Sequence, residues 1–416
     1  MMISMSQPSP LYSSLSNIRV LDFGRVIVAP RCARYLAELG ADVIHVERPG
    51  RGDDTRSDAY LLNDGLSGAF IQENWGKRSI AIDLNHPRAP EILKPLVESA
   101  DVVLENFRPG VMSGLGLGYE QLSDINPRLI MCSISAFGQS GPHADRVGYG
   151  FVADAIAGIP ELTGSPDGPP VPCPIPLADV MGSGLAFGLI CAALHGRNTT
   201  GRGTYIDLSL LDAAFATHDL ALQTYLSSDG LVQRRRQGSF DSDRVPWGYF
   251  QGPDGWVCIM CGTDRHWEAL AALMRADGLT VPVFDGIATR QSNQSEIYCL
   301  VSKWVATSAS VEDVVSAINT AKIPGARLNT IEQAVRDPQV QTRRLVETVD
   351  HPRLGSIRIP NFLGPNAEPA RRQPAPLLGE QSREIAAEAG LSPADINSLI
   401  AAGCLAEHSA EGAHEL

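Results

Sequence analysis

From Ile18 to Ser135 apolar runs of strand length alternate with segments of helical periodicity, and few folds accommodate that alternation. Ile18–Phe23 reads as a strand, Pro30–Leu39 as a helix and Asp42–Glu47 as a second strand. Ser79–Asp83 follows as a short strand, His86–Ser99 as a helix, and Asp101–Glu105 and Leu129–Ser135 as further strands. This β-α-β order predicts a mainly parallel sheet covered by helices, an α/β fold. No G-x-G-x-x-G follows the first strand, so the usual dinucleotide fingerprint is missing and a nicotinamide enzyme is a poor fit.

Beyond Ser135 the pattern changes. An apolar helix runs to about Arg197 and stops at the turn-rich NTTGRG. A strand, Thr204–Leu208, then leads into a helix over Leu211–Tyr225. The polar stretch SSDGLVQRRRQGSFDSDR reads as a linker, and a new unit begins near Trp247 with a hairpin around Pro253-Asp254-Gly255. The chain is irregular and Pro-rich after IPGARL until a last helix near Ser382–Ala389.

Charge and cysteine usage narrow the partners. With 416 residues, 44% of them hydrophobic, the chain is long enough for two domains. A formal net charge of -13 argues against nucleic acid. The apolar run Gly184–Leu194 is too short to span a bilayer, so no membrane partner is expected. Residues 1–16 lack the basic and apolar regions of a signal peptide, and the eight cysteines show no framework spacing; both suit a cytoplasmic protein. Cys258 and Cys261 sit three apart on a strand and face opposite sides, so no metal is expected there.

The candidate chemistry lies in PLADVMGSGLAFGLICAALHGRN, where Asp179 stands at the start of the long apolar helix. An Asp in that place can be a cap, accepting hydrogen bonds from unpaired amides, or a reactive carboxylate kept ionised by the helix dipole. Gly182, Ser183 and Gly184 would leave room for a flat or bulky group to approach it.

The order of several phrases resembles the family III CoA-transferases. They are IRVLDFGRVIVAPRCARYLAELGADVIHVERPGRGDDTR, NWGKRSIAIDLNHP, ADVVLENFRPGVMSGLGLGYEQLSDINPRLI, SAFGQSGP, the Asp179 block, GRGTYIDLSLLDA, IPGARLNTIEQAVRDPQV and PAPLLGEQSREI. The resemblance implies a Rossmann-like large domain with a parallel sheet, a smaller α+β domain, and an interlocked homodimer. It places a flexible tail at 1–16, the first part of the large domain at 17–225 and a linker at 226–246. The small domain is 247–325, the return to the large domain 326–403, and a second tail 404–416. The stretch Gln233–Arg244 would cross to the partner.

The same resemblance implies that Asp179 is the nucleophile, through an aspartyl anhydride and thioester, and that an acyl-CoA donor such as succinyl-CoA and a small or medium organic acid are the substrates. It assigns CoA contacts to Ile27, Val28, Arg48, Ile82, Asn85, Asn106, Phe107, Arg108, Arg146 and Tyr149. Racemase relatives carry a His in the phrase that here reads Gly148-Tyr149-Gly150, and a tyrosine with a pKa near 10 accepts protons poorly at neutral pH. Oxalate-using members carry a Gln where this chain has Ile27, which predicts a larger or less polar acid. An acyl-CoA racemase, or a CoA-binding protein without turnover, are the alternatives.

Overall fold

The computed structural model describes residues 10–57, 62, 66–362 and 373–408. The chain divides into two compact units. One comprises the residues up to Ala157, Pro174–His218 and the chain from Pro338 onward; the other comprises Gly158–Cys173 and Asp219–Asp337.

The first unit is built on β1 (Arg19–Asp22), β2 (Asp42–Glu47), β3 (Arg78–Ile82), β4 (Val102–Glu105), β5 (Ile130–Ser135) and β6 (Tyr205–Ser209). The second holds β7 (Trp247–Gly252), β8 (Gly255–Met260) and β9 (Gly325–Arg327), paired antiparallel as a three-stranded sheet. A hairpin of β10 (Val346–His351) and β11 (Gly355–Pro360) and a short β12 (Leu405–Ala406) return to the first unit.

The large sheet runs in the order β12-β3-β2-β1-β4-β5-β6. All its pairings are parallel except that of β12 with β3. Chain order therefore reverses between β1 and β4, and in open parallel sheets ligands bind at the carboxyl ends of the strands at such a reversal. The strands β2 to β5 are buried along their whole length, as helices on both faces demand. Leu21, Ile44, Ile80, Ile82, Val103 and Met131 form the centre of one core with Ile92, Leu96, Leu122, Ile385 and Leu399. The second unit has its own core, in which Trp267, Leu270, Ile297, Val301 and Trp304 pack on Phe250, Val257 and Ile259.

Several elements differ from the sequence reading. The expected helix Leu211–Tyr225 is two helices, Leu210–Thr217 and Leu220–Ser227. Between them His218 is extended, and its Nε2 donates to the Ala157 carbonyl at 2.7 Å. The second unit accordingly resumes at Asp219, and the polar stretch 226–246 belongs to it. There Arg236 pairs with Glu161 at 2.5 Å, and the Phe240 ring stacks on Tyr298 at 4.3 Å. Hydrophobic pattern gave no sign of the 158–173 excursion, which is tied down by polar contacts.

Parts of both expected tails are ordered into the fold. Pro10–Ser13 forms a turn of 3-10 helix and buries Tyr12. A helix Pro393–Ala401, opened by a Ser392–Asp395 capping box, leads into buried Cys404 and β12. The helix bearing Asp179, Leu177–Thr200, is long and apolar enough to cross a membrane by length and composition alone. The apolar run alone understated it, because its glycines and terminal polar residues are helical too. Its buried face packs on the helices Val28–Glu38 and Leu210–Thr217.

Leu405 is 1% exposed, and its strand covers the edge of β3 at Ile82. Leu405→Ala is expected to cost about 3 kcal/mol through lost burial and a residual cavity. Urea denaturation measures this; an unchanged midpoint would show that the end of the chain contributes nothing.

Candidate active site

Asp179 is the third residue of its helix, not the cap. The capping position is held by Pro176, which has no side-chain acceptor. A different helix supplies the acceptor. Asp154, buried on Gly150–Ile156, accepts the Ala178 amide at 3.1 Å and bonds the Leu177 amide as well. The Leu177 and Ala178 donors are thereby satisfied without the Asp179 side chain. Its own carboxylate makes no side-chain hydrogen bond among the described residues and opens into a cleft of about 430 Å³.

The glycines expected to clear the approach act differently. Gly182 is buried, and a Cβ there would meet Val28, Leu210 and Ala213 at 3.1 to 3.6 Å, so it serves helix packing. Gly184 faces open space. The residue that makes room for the carboxylate is Gly150, where a Cβ would lie 1.8 Å from Asp179 Oδ2. No side chain fits there.

Burial raises the Asp179 pKa, and the Asp154 carboxylate raises it further. Arg31 opposes both, Glu73 adds to the rise, and the result is about 6. The helix dipole was expected to hold an ordinary carboxylate; here desolvation outweighs it. The group remains mostly ionised at pH 7 but is destabilised as an anion, which favours its use as a base or nucleophile.

The cleft lies at the reversal of strand order. The segment Arg25–Val28 after β1, Asn106–Pro109 after β4 and Ser135–Ala136 at the end of β5 line it together with Arg146, Tyr149 and Asp179. Ile27 and Val28 stand at the start of the helix Val28–Glu38, beside the Asp179 helix: Ser183 Oγ lies 2.9 Å from the Val28 carbonyl and 2.7 Å from that of Asp179. Tyr149 is 70% exposed at the lip. Arg146 is exposed, with its guanidinium 5.7 Å from the Phe137 ring.

A second cleft of about 570 Å³ adjoins the first through Arg25, Phe107 and Arg108, and is lined further by Arg48, Asp83, Leu84 and Asn85. It offers three arginines and a flat ring, with Arg25 stacked 4.8 Å above Phe107. Burial lowers the Arg25 pKa and neighbouring Arg48 lowers it further, against the opposing pull of Asp54 and Asp53. Arg48 is partly neutralised by Asp54 at 2.8 Å.

Two of the expected contacts change on inspection. Ile82 is fully buried in the sheet core, so its side chain reaches no ligand; Leu84, two residues on, lines the cleft instead. Asn106 binds the backbone of Arg25 through both ends of its amide, at 2.8 Å each, and so shapes the β1 loop while lining the cleft. Arg25, Gly150 and Asp154 were missed by the sequence reading. Only Arg25 carried a signal, its place directly after the first strand.

Because the folded pKa of Asp179 exceeds its ordinary 3.8, the fold prefers the protonated form. That stability is fully present below 3.8 and is lost as pH rises through about 6. Asp179→Asn, which cannot ionise, is expected to melt above wild type at pH 8, with the gap closing toward pH 4. Calorimetry across that range checks the sign; a gap that grows on acidification would contradict it.

The model of CoA-transferase family III matches residues 15–382. The chain is 37% identical over 397 residues to succinyl-CoA--L-malate CoA-transferase beta subunit of Chloroflexus aurantiacus, covering 92% of this chain and 96% of that one. It is 34% identical to succinate--glutarate CoA-transferase of Agrobacterium fabrum, covering 90% and 95%. Among solved structures, a CaiB/BaiF family protein from Brucella suis superposes with a TM-score of 0.79 at 30% identity, over 91% of this chain and 99% of that one. The protein belongs to CoA-transferase family III.

Proposed function

We propose that this enzyme moves CoA from succinyl-CoA to a small or medium carboxylic acid, with Asp179 as the nucleophile. The observation that carries the reading is the Asp179 carboxylate itself: not the helix cap, without a side-chain hydrogen bond among the described residues, and raised in pKa in the cleft at the strand-order reversal. The relatives named as acting with L-malate and with glutarate support a dicarboxylic acid as acceptor.

The chemistry proceeds in balanced steps. Asp179 attacks the thioester carbonyl of the donor, the C–S bond breaks, and a mixed anhydride and CoA thiolate result. The thiolate attacks the aspartyl carbonyl, the anhydride C–O bond breaks, and the donor acid leaves as its carboxylate. The acceptor carboxylate attacks the aspartyl thioester and releases the thiolate again. The thiolate then attacks the acceptor carbonyl and regenerates Asp179. No proton need be moved at any step, which fits a site with no histidine in the Gly148-Tyr149-Gly150 phrase.

In this reading Arg25, Arg48 and Arg108 hold the CoA phosphates, Phe107 and Asn85 border the nucleotide, and Ile27, Val28, Arg146 and Tyr149 border the acyl end. The reaction needs no metal. Arg31 and Glu73, paired at 2.5 Å, set the potential behind the nucleophile. We place the enzyme in the cytoplasm.

We also propose an interlocked homodimer, with Gln233–Arg244 crossing to the partner. Supporting it, the outer face of the Asp179 helix exposes Met181 and Leu189, and Phe215 is exposed nearby on Leu210–Thr217. Light scattering should give twice 44.6 kDa at all accessible dilutions. An active monomer would rule the arrangement out.

The reading is tested by mixing succinyl-CoA with a panel of carboxylic acids and following acyl-CoA products by mass spectrometry. Asp179→Ala should lose transfer by about four orders of magnitude or more while still binding CoA. Run in deuterated water, the wild type should place no deuterium at Cα of 2-methylacyl-CoA. Wild-type turnover in Asp179→Ala would sink the nucleophile, and rapid Asp179-dependent deuterium uptake without added acid would favour a racemase.

A further inference from the structure

The β1 loop that carries Arg25, Ile27 and Val28 to the cleft contains an unusual backbone. Val26 has φ of 68°, the only β-branched residue with positive φ among the described residues. A branched side chain in this left-handed region clashes with its own backbone, so the surroundings must impose it.

Three side chains grip three consecutive residues of the loop. Asp22 Oδ1 accepts the Gly24 amide at 2.8 Å. Asn106 holds both backbone groups of Arg25. Asp53 receives the Val26 amide on both oxygens, at 3.4 and 3.3 Å. Gly24 admits no substitute here, since a Cβ would meet Ala29 and Asp22 at 2.6 Å.

Asp22 and Asp53 are in turn spaced by one buried imidazole. His45 Nδ1 lies 3.1 Å from Asp22 Oδ2, and its Nε2 faces Asp53 Oδ2 at 3.6 Å and Glu47 Oε1 at 3.9 Å. Lys77 Nζ bonds Asp22 Oδ2 at 2.7 Å, and Arg56 forks onto Glu47 with two bonds of 2.7 Å. Thr55 fixes Asp53 through its amide and its hydroxyl, both at 2.7 Å. All these groups are buried. Three carboxylates face Lys77, Arg56 and His45, so the set is neutral when the imidazole is protonated. Burial alone would lower the His45 pKa, but Asp22 and Glu47 raise it to about 9.

A charged cluster buried this completely is a poor source of stability compared with apolar packing. It is well suited to holding one geometry. On the far side of Val26, Val28 is fixed against the Asp179 helix by the Ser183 hydroxyl and by Gly182. Val26 is therefore the joint between a clamped loop and a clamped helix start.

We propose that Asp53, set by His45, is a positioning residue: its hydrogen bonds from Val26 hold that joint left-handed and so place Ile27 and Val28 beside Asp179. The proposal rests on the reading of Asp179 as the nucleophile. Neither Asp53 nor His45 is assigned contact with the substrate.

The test is a double-mutant cycle between Asp53→Ala and Val26→Gly, read as kcat per folded enzyme. Glycine adopts the left-handed backbone without strain, so it makes the clamp dispensable. In the wild-type background Asp53→Ala should lower kcat about ten-fold or more; in the Val26→Gly background the further loss should be about three-fold or less. Hydrogen exchange of the peptide spanning residues 23–28 should rise in Asp53→Ala and not in peptides of the second unit.

Equal losses in both backgrounds overturn the proposal, as does a lowered melting temperature with kcat and local exchange unchanged. If Asp53→Ala does not fold, Asp53→Asn keeps the volume and removes the charge against His45, and the same cycle decides. The exchange readout needs no turnover. A wild type without transferase activity would therefore sink the nucleophile reading, whereas a loop that exchanges alike in all variants would sink this one.

Discussion

The Asp154 carboxylate on the Ala178 amide is the contact on which the site depends. A helix start leaves its first amides unpaired, and an acidic residue in the first turn is ordinarily drawn into satisfying them. With the acceptor delivered from a neighbouring helix, Asp179 is released from that duty. The same carboxylate also raises the pKa of Asp179. One buried side chain thus caps the helix and sharpens the group two positions into it. Gly150, on the helix that carries Asp154, completes the arrangement by leaving space where any Cβ would strike the carboxylate.

Around this point the fold concentrates charge unevenly. The chain is acidic as a whole, yet Arg25, Arg48 and Arg108 converge on one cleft at the carboxyl ends of the strands. Their convergence follows from topology. The loops after β1, β2 and β4 meet because the chain order reverses between β1 and β4, so residues tens of positions apart in sequence become neighbours. The Gly24 and Val26 amides of the first of these loops donate to Asp22 and Asp53, two members of a buried charged cluster. Stability of the fold comes from the apolar core around β1 to β5, while the polar clusters set where individual atoms stand.

Asp179→Asn is expected to stabilise the protein at neutral pH, and the reason marks how far the residues could be read in advance. The carboxylate was visible as a candidate from its place before an apolar helix. Its raised pKa was not, because it comes first from burial that only packing creates and then from Asp154, 25 positions earlier. Arg48, Asn85, Phe107 and Arg108 were found through family phrases and do line a common cleft. Ile82 belonged to the same phrase, but strand alternation turns it into the core.

What the sequence determined by itself is the alternation of strands and helices, a composition break after Tyr225 and the family to which the chain belongs. These are local or additive signals: hydrophobic period, turn residues and ordered phrases. Tertiary structure decided the rest. It made His218 the break between two helices and brought 158–173 into the second unit. It drew Cys404 and Leu405 from an expected tail into the sheet, and it gave the capping role to Asp154. Each of these turns on a partner distant in sequence, whose position exists only once the sheet has formed, so no window along the chain contains it.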